Sequence, residues 1–164
     1  MEKHPLDKGS FLLLAVFIIL FIAASLSDVF FLHWELVDTS FIPFTLLFIL
    51  GFILFSLGLA LRKYCERILS KQFSVFVAIQ KEHQLIIIGP YKYIRHPIYS
   101  AGLLKAFGIL LMTNSFLGFG VGVVLLFPAL LYRIHIEEKT LLAHFGKKYE
   151  LYKNTTKALI PHVL

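Results

Sequence analysis

The chain has 164 residues, of which 58% are hydrophobic and 16% are charged, with a formal net charge of +6 and a mean hydropathy of +0.79. So apolar a composition excludes an ordinary soluble domain and predicts one small integral membrane domain over residues 1–164. The single cysteine, Cys65, excludes an internal disulfide, so helix packing has to hold the fold together.

Four apolar runs predict an all-α protein with four transmembrane helices. The first, residues 11–32, contains about 22 residues at about 1.5 Å each, enough to cross a hydrocarbon layer of roughly 30 Å. It is too long and too rich in phenylalanine for a cleavable signal peptide. The other runs are residues 41–61, 98–113 and 116–132. Because the last two are shorter than about 20 residues, they fit either a thinned bilayer or helices that extend past these bounds.

The distribution of lysine and arginine predicts the orientation of these spans. Residues 62–97 hold seven of these cations and residues 133–164 hold six, whereas residues 33–40 hold none. The positive-inside rule therefore places both termini and the long loop in the cytoplasm, at a bacterial inner membrane or an endoplasmic reticulum-like membrane. The basic face favours anionic membrane lipids over nucleic acid as a partner.

Several residues inside and between the spans have open interpretations. Lys105 lies within the third span, where it either serves a site or snorkels to the inner interface. Pro128 predicts a kink in the fourth span, and the glycines before it predict close helix contacts; these are Gly118, Gly120 and Gly122. Residues 71–88 alternate weakly between apolar and polar, so both an interfacial helix and an extended segment are compatible with them.

A dense polar and aromatic cluster stands directly before the third span, where residues 89–99 read GPYKYIRHPIY. Polar groups buried at membrane depth cost several kcal/mol unless they find partners, so this cluster predicts a site. Pro97 suits the first turn of the third helix, and His96 has the simpler alternative of capping that helix.

A second polar cluster follows the fourth span, in the sequence YRIHIEEKTLLAHFG. Arg133 and Glu137 are four residues apart and share a helix face, beside Glu138 and Leu141, and Gly146 predicts the end of the helix. The alternative is an exposed salt bridge worth only a few tenths of a kcal/mol. Because both clusters are predicted on the cytoplasmic side, the loop and the C-terminal helix are expected to line one pocket at the membrane surface.

Together these motifs identify a resemblance. The string GPYKYIRHPIY, followed by RIHIEEKTLLAHFGKKYELYK and a terminal IPHV, resembles the isoprenylcysteine carboxyl methyltransferase family of integral membrane methyltransferases and their phospholipid methyltransferase relatives. The match covers roughly residues 83–163, and the order and spacing of the motifs are specific. The N-terminal spans add a compatible topology.

The resemblance implies S-adenosylmethionine as the methyl donor, bound by residues 83–164. It implies a backbone contact to the donor from His83, Gln84, Leu85 and Ile86, and further donor contacts from Tyr91, His96, Pro97, Ile98, Tyr99 and Glu137. Arg133 matches the family's arginine near the reacting substrate and is the predicted catalytic residue. No metal site is predicted.

The chemistry of the donor agrees with those roles. S-adenosylmethionine carries a sulfonium, an ammonium, a carboxylate, ribose hydroxyls and an adenine, so aromatic faces, a carboxylate and hydrogen-bond donors suit it. Tyr91 and Tyr99 offer cation–π or stacking contacts, Glu137 accepts hydrogen bonds, and His96 donates to a carboxylate. Arg133 orients an acceptor carboxylate through position and charge, without covalent catalysis.

The leading prediction is therefore a membrane methyltransferase acting on a lipophilic or lipid-modified acceptor, with Arg133 favouring a carboxylate. Alternatives within enzymes are transfer to a phospholipid amine or a thiol, and a relative of the sterol reductases that binds a nicotinamide cofactor. A non-catalytic lipid-binding module is the alternative outside enzymes. The sequence predicts no oligomeric state.

Overall fold

The computed structural model describes residues 5–33, 35–40, 42–70 and 85–161, and these residues confirm the predicted all-helical class. The elements in chain order are α1 (Pro5–Ser27) with a π-helical turn (Asp28–Leu32), α2 (Phe44–Leu69), a 3₁₀ turn (Gly89–Lys92), α3 (Pro97–Thr113), α4 (Phe116–Val121), a second π-helical turn (Gly122–Leu126), α5 (Phe127–Phe145) and α6 (Lys147–Thr155). Residues 71–84, on which the choice between helix and extended chain mostly rests, lie outside the described residues; residues 85–87 have no helical structure.

Three helical stretches in the described part of the chain are long and apolar enough to cross a membrane, and they are Gly9–Leu32, Phe44–Leu69 and Phe116–Phe145. Large apolar side chains are exposed along them, for example Ile19 at 66% and Val124 at 67%. These surfaces indicate an integral membrane protein. Helix α3, which corresponds to the third predicted span, is apolar but has 17 residues, so that span stays a prediction.

Two helices continue beyond the apolar runs that predict them. The second helix continues past residue 61 to Leu69, and the fourth run continues past residue 132 to Phe145. The apolar run marks the hydrocarbon layer and does not limit the helix, because arginine, lysine and glutamate are good helix formers. Arg62 and Glu66 reinforce the extension with an i,i+4 ion pair of 2.7 Å. The predicted stop at Gly146 is confirmed, with φ +51° and its N–H donating to the carbonyl of Leu142.

Helices α2 and α3 pack with their backbones in close approach. A Cβ added to Gly51 of α2 would lie 2.6 Å from the carbonyl oxygen of Gly108 on α3, and a Cβ on Gly58 would lie 2.8 Å from that of Ala101. The stem of Lys105 packs against Gly58, where an added Cβ would lie 2.8 Å from the lysine Cγ. Small residues therefore bring this helix pair together, as is common in membrane proteins.

Helix α1 packs along α4 and α5. Gly118 contacts Ser25 and Gly122 contacts the ring of Phe21, so the predicted close approach is confirmed at these two glycines. It is wrong at Gly120, where an added Cβ would meet no atom within 4 Å. The irregularity predicted at Pro128 takes the form of the π-helical turn before α5, since proline supplies no N–H to an α-helical ladder.

The up-and-down order of the helices gives the molecule two distinct ends. At the end named here the Asp28 end, α1 finishes, α2 begins, and α3 turns into α4. Asn114 at this turn bonds the backbone of Val37 with both amide atoms at 2.8 Å, and one carboxylate oxygen of Asp28 accepts from Ser115 and from the N–H of Leu117 at 2.6 Å. At the opposite end, the His96 end, the start of α3 meets the second half of α5, α6 and the tail.

Candidate functional site

A chain of polar side chains links three helices at the His96 end. Arg133 on α5 is 3% exposed, and its Nε donates to the hydroxyl of Tyr99 on α3 at 3.3 Å. That hydroxyl donates in turn to Oε2 of Glu137 at 2.6 Å. On its other side Arg133 donates from Nη1 to Oγ of Ser10 on α1 at 2.8 Å, and its guanidinium lies 6.0 Å from the ring centre of Phe11. Arg133 and Glu137 therefore belong to a buried network, in contrast to the exposed pair that was the alternative.

His96 occupies the N-cap position of α3, but its side chain makes no capping hydrogen bond. The interpretation of this residue as a simple cap is therefore wrong. The ring stacks on that of Tyr99 with centroids 5.6 Å apart. Its Nδ1 lies 3.8 Å from Oε1 of Glu137 and its Nε2 lies 3.4 Å from Oε1 of Glu138, so the imidazole stands between two carboxylates.

Glu138 is the site residue to which the sequence assigned no role. It pairs with Nε of Arg95 at 2.7 Å and with Nζ of Lys153 at 2.7 Å, and the side chains of Arg95 and Glu138 are only 9% and 12% exposed. Charge-assisted bonds of this length are the strong class of hydrogen bonds. Arg95, Glu138 and Lys153 come from three different segments, so no local spacing indicated the network.

The tail after α6 is bound along the turn that carries His96. The N–H groups of Arg95 and His96 donate to the carbonyls of Lys157 and Ala158 at 2.8 and 3.0 Å. Oγ of Ser100 donates to the carbonyl of Leu159 at 2.6 Å, and Leu159 itself is 2% exposed. The guanidinium of Arg95 adds bonds to the carbonyls of Lys153 and Thr156. The tail is thus a structural wall of the site.

Three buried polar atoms at this end have no hydrogen-bond partner among the described residues: the hydroxyls of Tyr91 and Tyr149, and Nε2 of His96. Burial raises the pKa of both tyrosines well above the usual value, so both hydroxyls remain protonated donors. Buried polar groups are normally paired, and unpaired ones call for an explanation such as a missing ligand. The carbonyl of Tyr91 is occupied, since Tyr152 donates to it at 2.6 Å.

The structure brings four of the predicted residues into one contiguous group, which consists of His96, Tyr99, Arg133 and Glu137. Pro97 is fully buried in the first turn of α3, as expected, and Tyr91 is buried in the 3₁₀ turn. Ile98, Leu85 and Ile86 are half-buried, the last two in a segment without regular secondary structure. His83 and Gln84 lie outside the described residues.

This arrangement can hold a small polar molecule that carries opposite charges. The Glu137 side chain is 27% exposed, so its oxygens retain capacity to accept from hydroxyl or ammonium groups. The tyrosine hydroxyls, the imidazole and the guanidinium supply donors for an anionic or carbonyl group. Hydrogen-bond acceptors and donors therefore lie close together on elements that contact one another. Binding sites typically use a few such polar groups to fix the orientation of a ligand.

Comparison with known proteins adds three findings. A family model described as phospholipid methyltransferase matches residues 46–148, more than half of the chain. The chain is 32% identical over 114 residues to protein-S-isoprenylcysteine O-methyltransferase of Schizosaccharomyces pombe, covering 68% of this chain and 48% of that protein. For the Saccharomyces cerevisiae protein of the same name the values are 32% over 117 residues, 70% and 49%. The chain thus spans about half the length of these relatives.

The fold also has a solved counterpart. The structure of the eukaryotic intramembrane Ras methyltransferase, an isoprenylcysteine carboxyl methyltransferase, superimposes with a TM-score of 0.67. The superposition covers 91% of this chain and 52% of that one, at 22% sequence identity. At that identity the likeness shows a shared fold.

Proposed function

The chain belongs to the phospholipid methyltransferase family, and we propose that it transfers a methyl group from S-adenosylmethionine to a lipophilic acceptor at the His96 end. The observation that carries the proposal is the convergence of His96, Tyr99, Arg133 and Glu137 on one buried network beside partnerless donors. The predicted residues come from α3 and α5, more than 30 residues apart in sequence, and still meet.

The residues present fit the donor. Glu137 would accept from the ribose hydroxyls or the ammonium, and the imidazole of His96 with the hydroxyls of Tyr91 and Tyr149 would donate to its carboxylate or ring nitrogens. The stacked rings of His96 and Tyr99 offer a flat face for a cation or a base. When bound, the sulfonium of the donor supplies an activated methyl group.

Arg133 supports a carboxylate as the acceptor. A buried guanidinium attracts an anion strongly because the surroundings screen it weakly, and its planar fork suits carboxylate geometry. The same charge opposes a protonated amine at this position. An ionised carboxylate is already a nucleophile, so these residues need to supply orientation and charge and not a general base.

Ser10 and Tyr99 hold the guanidinium from two sides. Its orientation therefore comes from α1 and α3 before any acceptor arrives, which is the preorganisation that makes electrostatic catalysis effective. The burial of Arg133 also keeps water from the reacting groups.

The membrane arrangement completes the proposal. We place the His96 end at the cytoplasmic face because residues 62–97 and 133–164 carry thirteen of the sixteen lysines and arginines. If α3 also crosses the membrane, the protein has four spans in total, and both termini lie on the cytoplasmic face. The acceptor's apolar tail then enters from the bilayer while the methyl donor enters from the cytosol.

The test is methyl transfer from radiolabelled S-adenosylmethionine in membranes containing the protein. We expect label in N-acetyl-S-farnesylcysteine and none in its carboxamide, which differs only at the acceptor group. Membranes containing the Glu137→Gln variant are the control. Label in phosphatidylethanolamine or in a farnesyl thiol, with none in the farnesylcysteine, would keep the methyltransferase and reject the carboxylate. No label in any product would reject the proposed activity.

A further inference from the structure

A second candidate site lies at the Asp28 end, opposite to the residues discussed above. It is a cleft of about 140 Å³, lined by Asp28, Val29, His33, Glu35, Phe44, Thr113 and Asn114. A site needs roughly 10–15 Å³ of water-accessible space to hold one water molecule, so this cleft has room for a small polar group. None of these residues is part of the proposed methyl-transfer site.

Asp28 is the residue that makes this cleft unusual. Its side chain is 2% exposed, and one oxygen, Oδ2, is used by Ser115 and by the N–H of Leu117. These bonds explain how Asp28 caps the start of α4, but they involve only that oxygen. The other oxygen, Oδ1, is buried and has no hydrogen-bond partner among the described residues. A buried carboxylate oxygen without a partner is costly, so it points to a missing donor.

Of the other polar groups in the cleft, the exposed imidazole of His33 can donate as well as accept, and the remaining ones offer mainly acceptors. The hydroxyl of Thr113 donates to the carbonyl of Ile109, and the amide of Asn114 donates to the carbonyl of Val37. Glu35 is exposed and brings a second carboxylate. A ligand that matches this set donates several hydrogen bonds and carries positive charge.

The charge of the cleft and the number of possible metal-binding residues further limit the kind of ligand that it can bind. The sequence contains no lysine or arginine between Lys8 and Arg62, so neither kind of cation is close in sequence to the carboxylates of the cleft. The described residues contain no group of three His, Cys, Asp or Glu that could hold a metal ion. The ring of Phe44 in the wall would favour an organic cation. We propose that this cleft binds a primary ammonium group.

Its surroundings favour a lipid as the carrier of that ammonium. The turn Asp28–Leu32 borders the cleft and exposes Phe30 at 67% and Phe31 at 81%. Exposed aromatic side chains at the end of a membrane span suit the acyl and glycerol region of a bilayer. A phosphatidylethanolamine headgroup would thus reach Asp28 while its chains cover these rings. This inference does not depend on methyl transfer, since it concerns the other end of the molecule.

The experiment uses the only tryptophan, Trp34, which follows His33 in sequence. The full-length protein is reconstituted in vesicles, and quenching of its fluorescence by phosphatidylethanolamine with brominated chains is compared with quenching by the equally brominated phosphatidylcholine. Both lipids are net neutral, but only the first has ammonium N–H donors. We expect phosphatidylethanolamine to bind about fivefold more tightly. Equal affinities of the two lipids would overturn the proposal.

Substitutions test whether the cleft is responsible for the preference for phosphatidylethanolamine. Asp28→Asn keeps a side-chain acceptor for α4 and removes the charge, and we expect it to abolish the preference. Glu35→Gln, at an exposed position, should reduce it, and this variant keeps the test decisive if Asp28→Asn does not fold. Asp38→Asn changes an exposed carboxylate that does not line the cleft and serves as the control. A preference that survives both Asp28→Asn and Glu35→Gln would contradict the assignment.

A soluble amine is the other source of the same chemistry. Adding free ethanolamine at millimolar concentration distinguishes the two sources. If ethanolamine removes the advantage of phosphatidylethanolamine, the cleft takes the ammonium from solution as well as from lipid. If the advantage persists, the lipid is the ligand.

Discussion

Each end of the helix bundle contains a charged side chain that is almost fully buried, Arg133 at one and Asp28 at the other, and their surroundings are opposite in character. At the His96 end, Arg133 is surrounded by hydrogen-bonding side chains from α1 and α3, and the atoms without partners include two tyrosine hydroxyls that are protonated donors. At the Asp28 end, the buried carboxylate uses one oxygen to start a helix, and its other oxygen, an acceptor, has no hydrogen-bond partner among the described residues. These buried polar atoms without partners therefore predict ligands of different polarity at the two ends.

The ends also differ in how they are assembled. The His96 end joins a turn before α3 to a tail some 60 residues later, through backbone bonds and the Arg95–Glu138–Lys153 network. The Asp28 end is built from two short turns held by Asn114 and Asp28. The first end should consequently depend on long-range ion pairing, and the second on individual hydrogen bonds.

The largest expected effect breaks the ion network. Glu138→Gln leaves the buried guanidinium of Arg95 without its carboxylate, and removal of one member of a buried ion pair typically costs about 3–5 kcal/mol. We expect the free energy of unfolding in detergent to fall by that amount. The matched control is Glu66→Gln in the more exposed Arg62–Glu66 pair, which should cost about 0.3–0.5 kcal/mol. Equal losses in the two variants would show that the network is not a structural element.

A slightly smaller effect is expected at the buried cation. Arg133→Lys keeps the charge but loses the planar fork, and the loss of one preorganised donor typically lowers kcat by about 10²–10³-fold. The measurement is methyl transfer to N-acetyl-S-farnesylcysteine, with S-adenosylmethionine affinity determined alongside. Ser10→Ala, which removes one bond to the guanidinium, should lower kcat by about tenfold with little change in KM. Full activity in Arg133→Lys would show that the guanidinium of Arg133 has no role in methyl transfer.

At the other end, Asn114→Ala removes both bonds to the backbone of Val37 and places alanine at φ +48°. Two lost hydrogen bonds predict a loss of about 1–3 kcal/mol in the free energy of unfolding. Methyl transfer at the His96 end should be unchanged below the unfolding temperature. A parallel loss of activity in the folded protein would show that the two ends are coupled.

The smallest predicted effect concerns His96. His96→Ala removes a proposed ligand contact and no helix cap, but it also removes a buried ring stacked on Tyr99, so a moderate fall in the unfolding temperature is expected. One lost hydrogen bond to a charged group predicts about a tenfold weaker affinity for S-adenosylmethionine. Calorimetric titration together with thermal unfolding measures both quantities. Unfolding of this variant at a much lower temperature would assign His96 a mainly structural role.

Much of this architecture is predictable because it follows from local patterns. Apolar runs reveal the helices, Gly146 marks the end of α5, and the spacing of Arg133 and Glu137 places both on one face. These features depend on neighbouring residues. Each of these features can be inferred from residues that lie within a few helical turns of it.

The role of Glu138 and the position of the tail were not predictable in that way. Glu137 and Glu138 are adjacent and chemically alike, and only the arrival of Arg95 and Lys153 from other segments separates their roles. The close approach of α2 and α3 at Gly51 and Gly108 was missed for the same reason. A glycine allows such an approach only where another helix lies against it, and the sequence does not show which helix that is. An apolar run marks the hydrocarbon layer, so it does not show that α2 continues to Leu69.

The most direct test is calorimetric titration of the purified protein in detergent with S-adenosylmethionine, its demethylated product and a nicotinamide nucleotide. If the His96 end holds the methyl donor, the first two bind, the nucleotide does not, and Glu137→Gln weakens both by more than tenfold. Absence of binding by S-adenosylmethionine and its product, or undiminished affinity in Glu137→Gln, would contradict this account.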